Sequence, residues 1–220
     1  MKAVQLRAAQ LKRTGQDHFA LLQQVAADVA STAGGALQLS KYSLGYDGSN
    51  ISSTEISGML AKMNVLNPWS EMSSIAARCG FGSLALKESY DQALLKRNRA
   101  AHSPQADVQP LDLVSFCDLG MAIAASFDIL ASRAARLLRV GNDDILKGKI
   151  SIASQIKLRF IDITGARYSE IREGGTRAVK IHSEHAEAWK IAFNRALAGH
   201  EAIVERNGKL LPIAWLPTDV

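Results

Sequence analysis

The chain has 220 residues, of which 47% are hydrophobic and 21% are charged, so its composition is that of a globular protein rather than a disordered one. Lys and Arg number 26 against 21 Asp and Glu, and the net charge of +5 permits a polyanionic partner such as RNA without requiring one. The two cysteines, Cys79 and Cys117, exclude a disulfide framework and are expected to be buried free thiols.

The N-terminal residues predict a helix and no membrane anchor. Apolar side chains recur at spacings of three and four over residues 2–40, and the glycines of Thr32–Gly35 are expected to loosen or end this helix. Charged residues interrupt the first segment, unlike in a signal peptide, and we find no run of about 18 apolar residues that predicts a membrane span. We therefore expect a cytoplasmic protein without a membrane partner.

Four more helices are predicted before residue 141. A short helix begins near Ser53, a second covers Pro68–Arg78, and a third covers Leu84–His102. The fourth, Leu113–Val140, follows a three-four apolar rhythm and would form a rod roughly 40 Å long, with Asp112 as its cap. Helices of this kind joined by short loops predict an antiparallel bundle over residues 1–147.

The pattern changes after Gly141 and predicts a small α+β unit over residues 148–220. The segments "KLRFIDI", "ARYSEI" and "TRAVKI" are typical of short strands. A helix capped by Ser183 and stopped by Gly199 follows, and Asn207–Gly208 predicts a hairpin between two apolar runs. The whole chain is therefore predicted to be mainly α, a helical bundle with a small C-terminal α+β unit.

The segment "LLKRNRAAHSP", from Leu94 to Pro104, contains the strongest chemical signal. Arg97 falls on the apolar stripe of the third helix, where a charged residue is unexpected. Arg97 and His102 are five residues apart and thus about 140° apart around a straight helix. They could converge if the last turn unwinds at Ser103–Pro104, or if a second copy of the helix packs across a two-fold axis.

These side chains suit RNA cleavage without a metal. A histidine such as His102 can act as general base or acid, and Arg97 can clamp the phosphate and stabilise its transition state. Asn98 can orient the imidazole or contact the substrate. Lys96 and Arg99 add positive charge that attracts RNA. Neither a metal nor a cofactor is required by this chemistry.

The same stretch resembles the motif of the HEPN family, particularly its RiboL-PSP-HEPN branch. "RNRAAH" matches the family pattern RNxxAH at Arg97, Asn98, Ala101 and His102, on a helix followed by a long helix. The residues after the histidine are Ser103–Pro104, where the family commonly has glycine. The resemblance covers about residues 1–140 and implies a HEPN-like bundle.

It also implies a metal-independent endoribonuclease that acts as a homodimer with a composite active site. Such enzymes often serve as toxins or antiphage-defence effectors, with an antitoxin or defence-system protein as a further partner. Some members of the family have lost activity, so the alternative function is a HEPN-fold binding or dimerisation module. His182, Glu184 and His185 could be read as a metal site, but a solvated helix start is the better interpretation of these residues.

Overall fold

The computed structural model describes residues 19, 20, 23, 27, 51–82, 85–102 and 109–218. The chain divides into two compact units, Met1–Met59 and Leu60–Val220. Most of the predicted helix over residues 2–40 lies outside the described residues. Within that range the described residues are helical: Phe19, Ala20, Gln23 and Ala27.

The helices predicted after residue 50 are confirmed with small changes at their ends. Helix α1 begins one residue after Ser52, whose hydroxyl accepts from the Glu55 N–H at 3.2 Å while the Glu55 carboxylate accepts from the Ser52 N–H at 2.6 Å. Asp112 is not the cap of the long helix, because Gln109 holds that position and Asp112 lies three residues inside it. The helices are α1 Ser53–Ala61, α2 Pro68–Ala76, α3 Leu86–His102, α4 Pro110–Arg139 and α5 Asp143–Leu146.

The C-terminal region forms a five-stranded mixed sheet with one covering helix. The strand order is β3-β2-β1-β4-β5, and β1 and β4 are parallel while the other pairs are antiparallel. The predicted hairpin is confirmed as the antiparallel pair β4 and β5. The elements are β1 Lys157–Thr164, β2 Arg167–Arg172, β3 Lys180–His182, α6 His185–Gly199, β4 Glu201–Arg206 and β5 Pro212–Leu216.

The predicted fold class, a mainly α HEPN-like antiparallel bundle with a small C-terminal unit, is wrong, because the protein is mixed α/β. The five-stranded sheet packs against the helices instead of standing apart from them. The Trp215 indole of β5 donates to the Asp128 carboxylate of α4 at 3.0 Å. The periodicity of α4 cannot reveal such a contact with a strand 87 positions away.

One arginine makes most of the hydrogen bonds between the helices and the chain entering the sheet. Arg78 lies in a π-helical turn, Ala77–Phe81, that continues α2. Its guanidinium donates to the Glu173 carboxylate at 2.6 Å and to the carbonyls of Ala153 and Ile156 at 2.8 and 2.6 Å. These bonds span the predicted boundary near residue 148, and that boundary stays a prediction.

Helix α6 covers one face of the sheet through small residues. Ala188, Ala192 and Ala196 are buried against Ile161 and Ile203. Alanines at spacings of four let the helix backbone approach the sheet closely. The crossover from β3 through α6 to β4 thus gives the sheet one closely packed face.

The same layer contains a buried ionic network. Arg159 of β1 is 1% exposed, and its Nε donates to Glu201 of β4 at 2.5 Å. Its Nη1 donates to Glu170 of β2, and Arg195 of α6 donates to the other Glu170 oxygen at 2.6 Å. Since each charged group has a partner of opposite sign, the network links three strands and a helix without an unpaired buried charge.

We expect Arg159→Met to lower the free energy of unfolding by about 3 kcal/mol, because Glu201 and Glu170 would keep buried charges with fewer partners. Urea denaturation at neutral pH measures this loss. The matched control is Lys147→Met, which removes an exposed ion pair with Asp143 and should change stability by less than about 0.5 kcal/mol. Equal effects of the two substitutions would contradict the role given to the network.

Candidate functional site

The motif residues lie on the last turns of α3 and remain helical. Arg97, Asn98 and His102 are all exposed. Helix α3 continues to His102, so the last described turn does not unwind. At 100° per residue, Arg97 and His102 therefore stay about 140° apart around the axis. Within one copy of the chain the two side chains leave the helix in different directions.

A crevice of about 680 Å³ lies between α3 and α4, and two of the predicted site residues line it. Lys96 and Arg97 belong to its wall, whereas Asn98, Arg99 and His102 do not. The wall is mostly apolar and includes four charged side chains. The remaining lining residues are Phe81, Ser89, Gln92, Ala93, Ala100, Asp112, Leu113, Ser115, Phe116, Asp118, Leu119, Met121, Leu211 and Pro212.

The charges of this crevice are balanced. Lys96 Nζ lies 2.6 Å from Asp112 Oδ1, and this hydrogen bond, helped by the Gln109 N–H, lowers the pKa of Asp112. Arg97 and Asp118 complete a wall with two cations and two carboxylates. The Lys96–Asp112 pair also ties the end of α3 to the first turn of α4. Neither carboxylate could be assigned a site role from the sequence, because Asp112 and Asp118 lie on the next helix, at least 16 positions from Lys96.

One side of the crevice depends on the π-helical turn. Gly80 has φ of +116°, and a Cβ there would lie 2.6 Å from the Leu210 carbonyl oxygen. Only glycine fits this close approach between the turn and the β4–β5 loop. The next residue, Phe81, is then presented to the crevice beside Leu211 and Pro212. The β4–β5 loop and the start of β5 therefore supply part of the crevice wall.

The first half of α4 is apolar and exposed. The exposed fractions of Leu111, Leu113, Val114 and Phe116 are 78%, 60%, 59% and 42%. A helix that is apolar on several sides is typical of a buried element. The three-four apolar rhythm that predicts this helix begins at Leu113 and Phe116, and these two side chains are exposed rather than buried. In the second half of the helix the same rhythm passes through Leu130, Ala134 and Leu137, which are buried as predicted. The buried residues of the whole helix are Leu119, Ala122, Ala125, Ser126, Ile129, Leu130, Ala134 and Leu137.

In the part of the chain that the structure describes, α4 is the one helix whose length and composition would allow it to cross a membrane. Its second half is instead buried in the helical layer through residues such as Ile129 and Leu130. Core helices of soluble proteins share this length and composition. The expected cytoplasmic location and absence of a membrane partner stay predictions.

The histidines near α6 belong to a different part of the second unit. His185 Nε2 lies 2.7 Å from Glu205 Oε1, and the Trp189 indole donates to the other oxygen at 3.0 Å. His182 is buried, and its ring nitrogens lie 3.9 Å from Glu170 and 3.7 Å from Glu187. Among the described residues no group of three or more His, Cys, Asp or Glu side chains is arranged to hold a metal ion.

Comparisons with protein-family models, with curated proteins and with solved structures find no match to this chain. The resemblance to the HEPN family is therefore carried by the motif residues of Arg97–His102 and stays a prediction.

The two cysteines differ in exposure, contrary to the prediction that both are buried. Burial raises the pKa of Cys79 to about 12, while Cys117 is exposed on the first half of α4. At pH 8 the folded protein therefore holds Cys79 almost wholly as the unreactive thiol.

We expect the dilute native protein to take up one maleimide, at Cys117, and the urea-unfolded protein to take up two. Intact mass followed by peptide mapping checks both the number and the position. The variant Cys117→Ser serves as the control and should take up none under native conditions. Rapid modification of Cys79 in the native protein would contradict the burial of its side chain.

Proposed function

We propose that the protein is a metal-independent endoribonuclease whose reacting groups are Arg97, Asn98 and His102. The observation that carries this proposal is the position of the motif. Arg97 lines the crevice beside Lys96, and His102 is exposed at the end of the same helix. Both are accessible to a strand of RNA. An arginine that can grip phosphate and a histidine that can move protons are the groups such a reaction needs.

In the proposed reaction the 2′-oxygen of a ribose attacks the adjacent phosphorus. A neutral His102 imidazole accepts the 2′-hydroxyl proton as the new P–O bond forms. The bond from phosphorus to the 5′-oxygen breaks, and a protonated His102 supplies the proton to that leaving oxygen. Arg97 stabilises the charge on the phosphorane oxygens. The products are a 2′,3′-cyclic phosphate and a 5′-hydroxyl.

The base and the acid would come from two copies of the chain. One His102 cannot face the same phosphate as the Arg97 of its own helix, because the two are about 140° apart on a continuous α3. A two-fold axis can place the arginine of one copy beside the histidine of the other. The proposal therefore includes a homodimer with a composite active site. Lys96 and Arg99 would contact flanking phosphates of the RNA.

A role as a toxin or antiphage-defence effector in the cytoplasm belongs to the same proposal. An endoribonuclease that needs only its own side chains is active as soon as it assembles, so a cell must restrain it. An antitoxin or another defence-system protein would fill that role.

The alternative is a binding or dimerisation module without catalysis. Two observations favour it: the crevice is mostly apolar, and Lys96 is already paired with Asp112 at 2.6 Å. Such a wall suits a protein helix better than a polyanion. In that case the exposed motif would contribute to an interface rather than to a reaction.

We expect the purified protein to cut a labelled single-stranded RNA in excess EDTA, and His102→Asn and Arg97→Met each to reduce the rate at least about 100-fold. A DNA of the same sequence should resist cleavage because it lacks the 2′-hydroxyl. Denaturing gels and end-group analysis measure the rate and identify the cyclic phosphate.

Matched controls separate the motif from general effects of charge. His200→Asn removes another exposed histidine at a helix end, and Arg139→Met removes an exposed arginine elsewhere on the surface. Both controls should keep the full rate. Equal cleavage by the wild type, the motif variants and the controls would mean a contaminating nuclease and would leave the binding module as the better explanation.

A further inference from the structure

We propose that the end of the sheet where β1 and β4 begin is a second contact surface for RNA. Its cations are Lys157 at the start of β1, Arg172 at the end of β2 and Arg177 in the loop that follows, and we call these three residues the basic end. The inference rests on the proposed function in one respect, because that function makes RNA the ligand. The place of the surface follows from the charges and the strand register.

The positive charge of the chain is concentrated around the sheet. Residues 148–220 contain 11 Lys and Arg against 8 Asp and Glu, so they contribute +3 of the net charge of +5. Five of these eight carboxylates are bound to a basic side chain within the fold. They are Asp162 by Arg206, Glu170 by Arg159 and Arg195, Glu173 by Arg78, Glu201 by Arg159 and Glu205 by His185.

The register of the strands brings two cations of the basic end together. Arg159 of β1 and Arg172 of β2 are directly opposite each other, and Lys157 precedes Arg159 by two residues. Residues two apart on a strand point to the same face, so Lys157 and Arg172 are diagonal neighbours with about 7 to 8 Å between them. Both are exposed, and both lie on the face of the sheet that α6 covers.

The carboxylates beneath this surface are neutralised. Glu170 and Glu201 are buried and both bind Arg159, and Arg195 binds Glu170 as well at 2.6 Å. Two arginines therefore balance two carboxylates. In the part of the chain that the structure describes, Lys157, Arg172 and Arg177 form no ion pair. An approaching phosphate would meet their charge without repulsion from the layer below.

The loop after β2 holds its one carboxylate away from the surface. Glu173 accepts from Arg78 at 2.6 Å and from the Leu158 N–H at 3.1 Å, which ties the loop to β1 and to the helices. The Gly175 N–H donates to the Arg172 carbonyl at 2.9 Å and closes a tight turn. Arg172 and Arg177 are thus presented on both sides of this turn.

The chemistry of the loop favours a nucleic acid over a lipid surface. The residues between Arg172 and Arg177 are Glu173, Gly174, Gly175 and Thr176, none of which has a large apolar side chain. A segment that binds an anionic membrane usually adds such side chains, which enter the acyl region. Three cations spread over a strand and a loop instead suit the repeated phosphates of a polyanion.

The basic end and the motif lie at different places in the fold. The β4–β5 loop, which lines the crevice beside α3, follows the end of β4, whereas the basic end lies where β4 begins. Strand β4 has 6 residues and is about 20 Å long. An RNA must therefore be several nucleotides long to touch both. The basic end should lower the KM for long RNA and leave kcat unchanged.

The test measures binding of an uncleavable probe, a fluorescein-labelled 2′-O-methyl RNA of about 20 nucleotides, by anisotropy over a range of salt concentrations. The double variant Lys157→Ala with Arg172→Ala should raise Kd about 10-fold at about 0.1 M salt. It should also reduce the slope of log K against log salt by about 1.4, since each phosphate contact of a single strand contributes about 0.7. Arg177→Ala alone should reduce the slope by about 0.7.

The matched control removes the same charge elsewhere. Arg167 lies at the opposite end of β2 and Lys190 lies on the exposed side of α6, and the double variant Arg167→Ala with Lys190→Ala should change Kd less than about 2-fold. Exchange of the two cations, Lys157→Arg with Arg172→Lys, keeps both charges and should bind as the wild type does. Circular dichroism confirms that each variant is folded.

Cleavage assays on the same proteins separate this inference from the proposed function. Weaker probe binding by the Lys157 and Arg172 alanine variant, with a raised KM for long RNA and wild-type cleavage of a dinucleotide, supports both. Weaker binding by that variant without cleavage by any of the proteins supports the basic end and overturns the nuclease.

Three results would overturn the basic end. They are a wild type that does not bind the probe, an alanine variant that binds as tightly as the wild type, and an equal loss of binding in both double variants. If RNA is still cut in these cases, the nuclease proposal stands without the basic end. Binding to phosphatidylserine vesicles that the alanine variant loses, with RNA binding unchanged, would assign the surface to lipid instead.

Discussion

The hydrogen bonds of Arg78 hold the helices to the sheet, and the candidate site depends on that join. The guanidinium reaches Glu173 and two backbone carbonyls, while the buried Glu71 carboxylate accepts from the Ala153 N–H at 2.7 Å. These contacts fix α2 and its π-helical turn against the segment that enters β1. Phe81 and the β4–β5 loop then form one wall of the crevice beside α3. Without these contacts, the β4–β5 loop would not form part of the crevice wall beside α3.

The sheet tolerates buried charge because its charged groups are paired in register. Arg159 faces α6 between Glu170 on β2 and Glu201 on β4, and each carboxylate comes from a neighbouring strand. A shift of one residue in either strand would turn its carboxylate to the other face and leave Arg159 without that partner. An ion pair of this kind contributes little net stability compared with apolar residues. Its value here is that it disfavours other strand registers.

Local elements could be predicted from the sequence, but their packing could not. The apolar period of α4 and the strand-like composition of β1 are properties of short segments, so both elements were found within a few residues. The buried side was missed only in the first half of α4, because Leu113 and Phe116 are more hydrophobic than Ala122 and Ser126, whereas Leu130 and Leu137 of the second half were correctly predicted. Helix α2 packs on the side with the small residues.

The fold class failed for a similar reason: Arg78 and Glu173 are 95 positions apart, and no local pattern indicates their contact. Residues Arg97 and His102 could be found as a motif, whereas the carboxylates of the crevice could not.

The pairing of Lys96 with Asp112 is compatible with a role in RNA binding. Both side chains are partly exposed, at 59% and 32%, and an exposed ion pair is worth at most about 1 kcal/mol. Breaking it costs little compared with the binding of a polyanion at several phosphates. Under the proposed function, Lys96 would therefore exchange the Asp112 carboxylate for a phosphate of RNA at the rim of the crevice. When it does so, Asp112 loses the hydrogen bond that lowers its pKa, and the first turn of α4 is no longer tied to α3. Substrate binding and the contact between α3 and α4 would then be coupled through one lysine, because the same side chain cannot serve both at once.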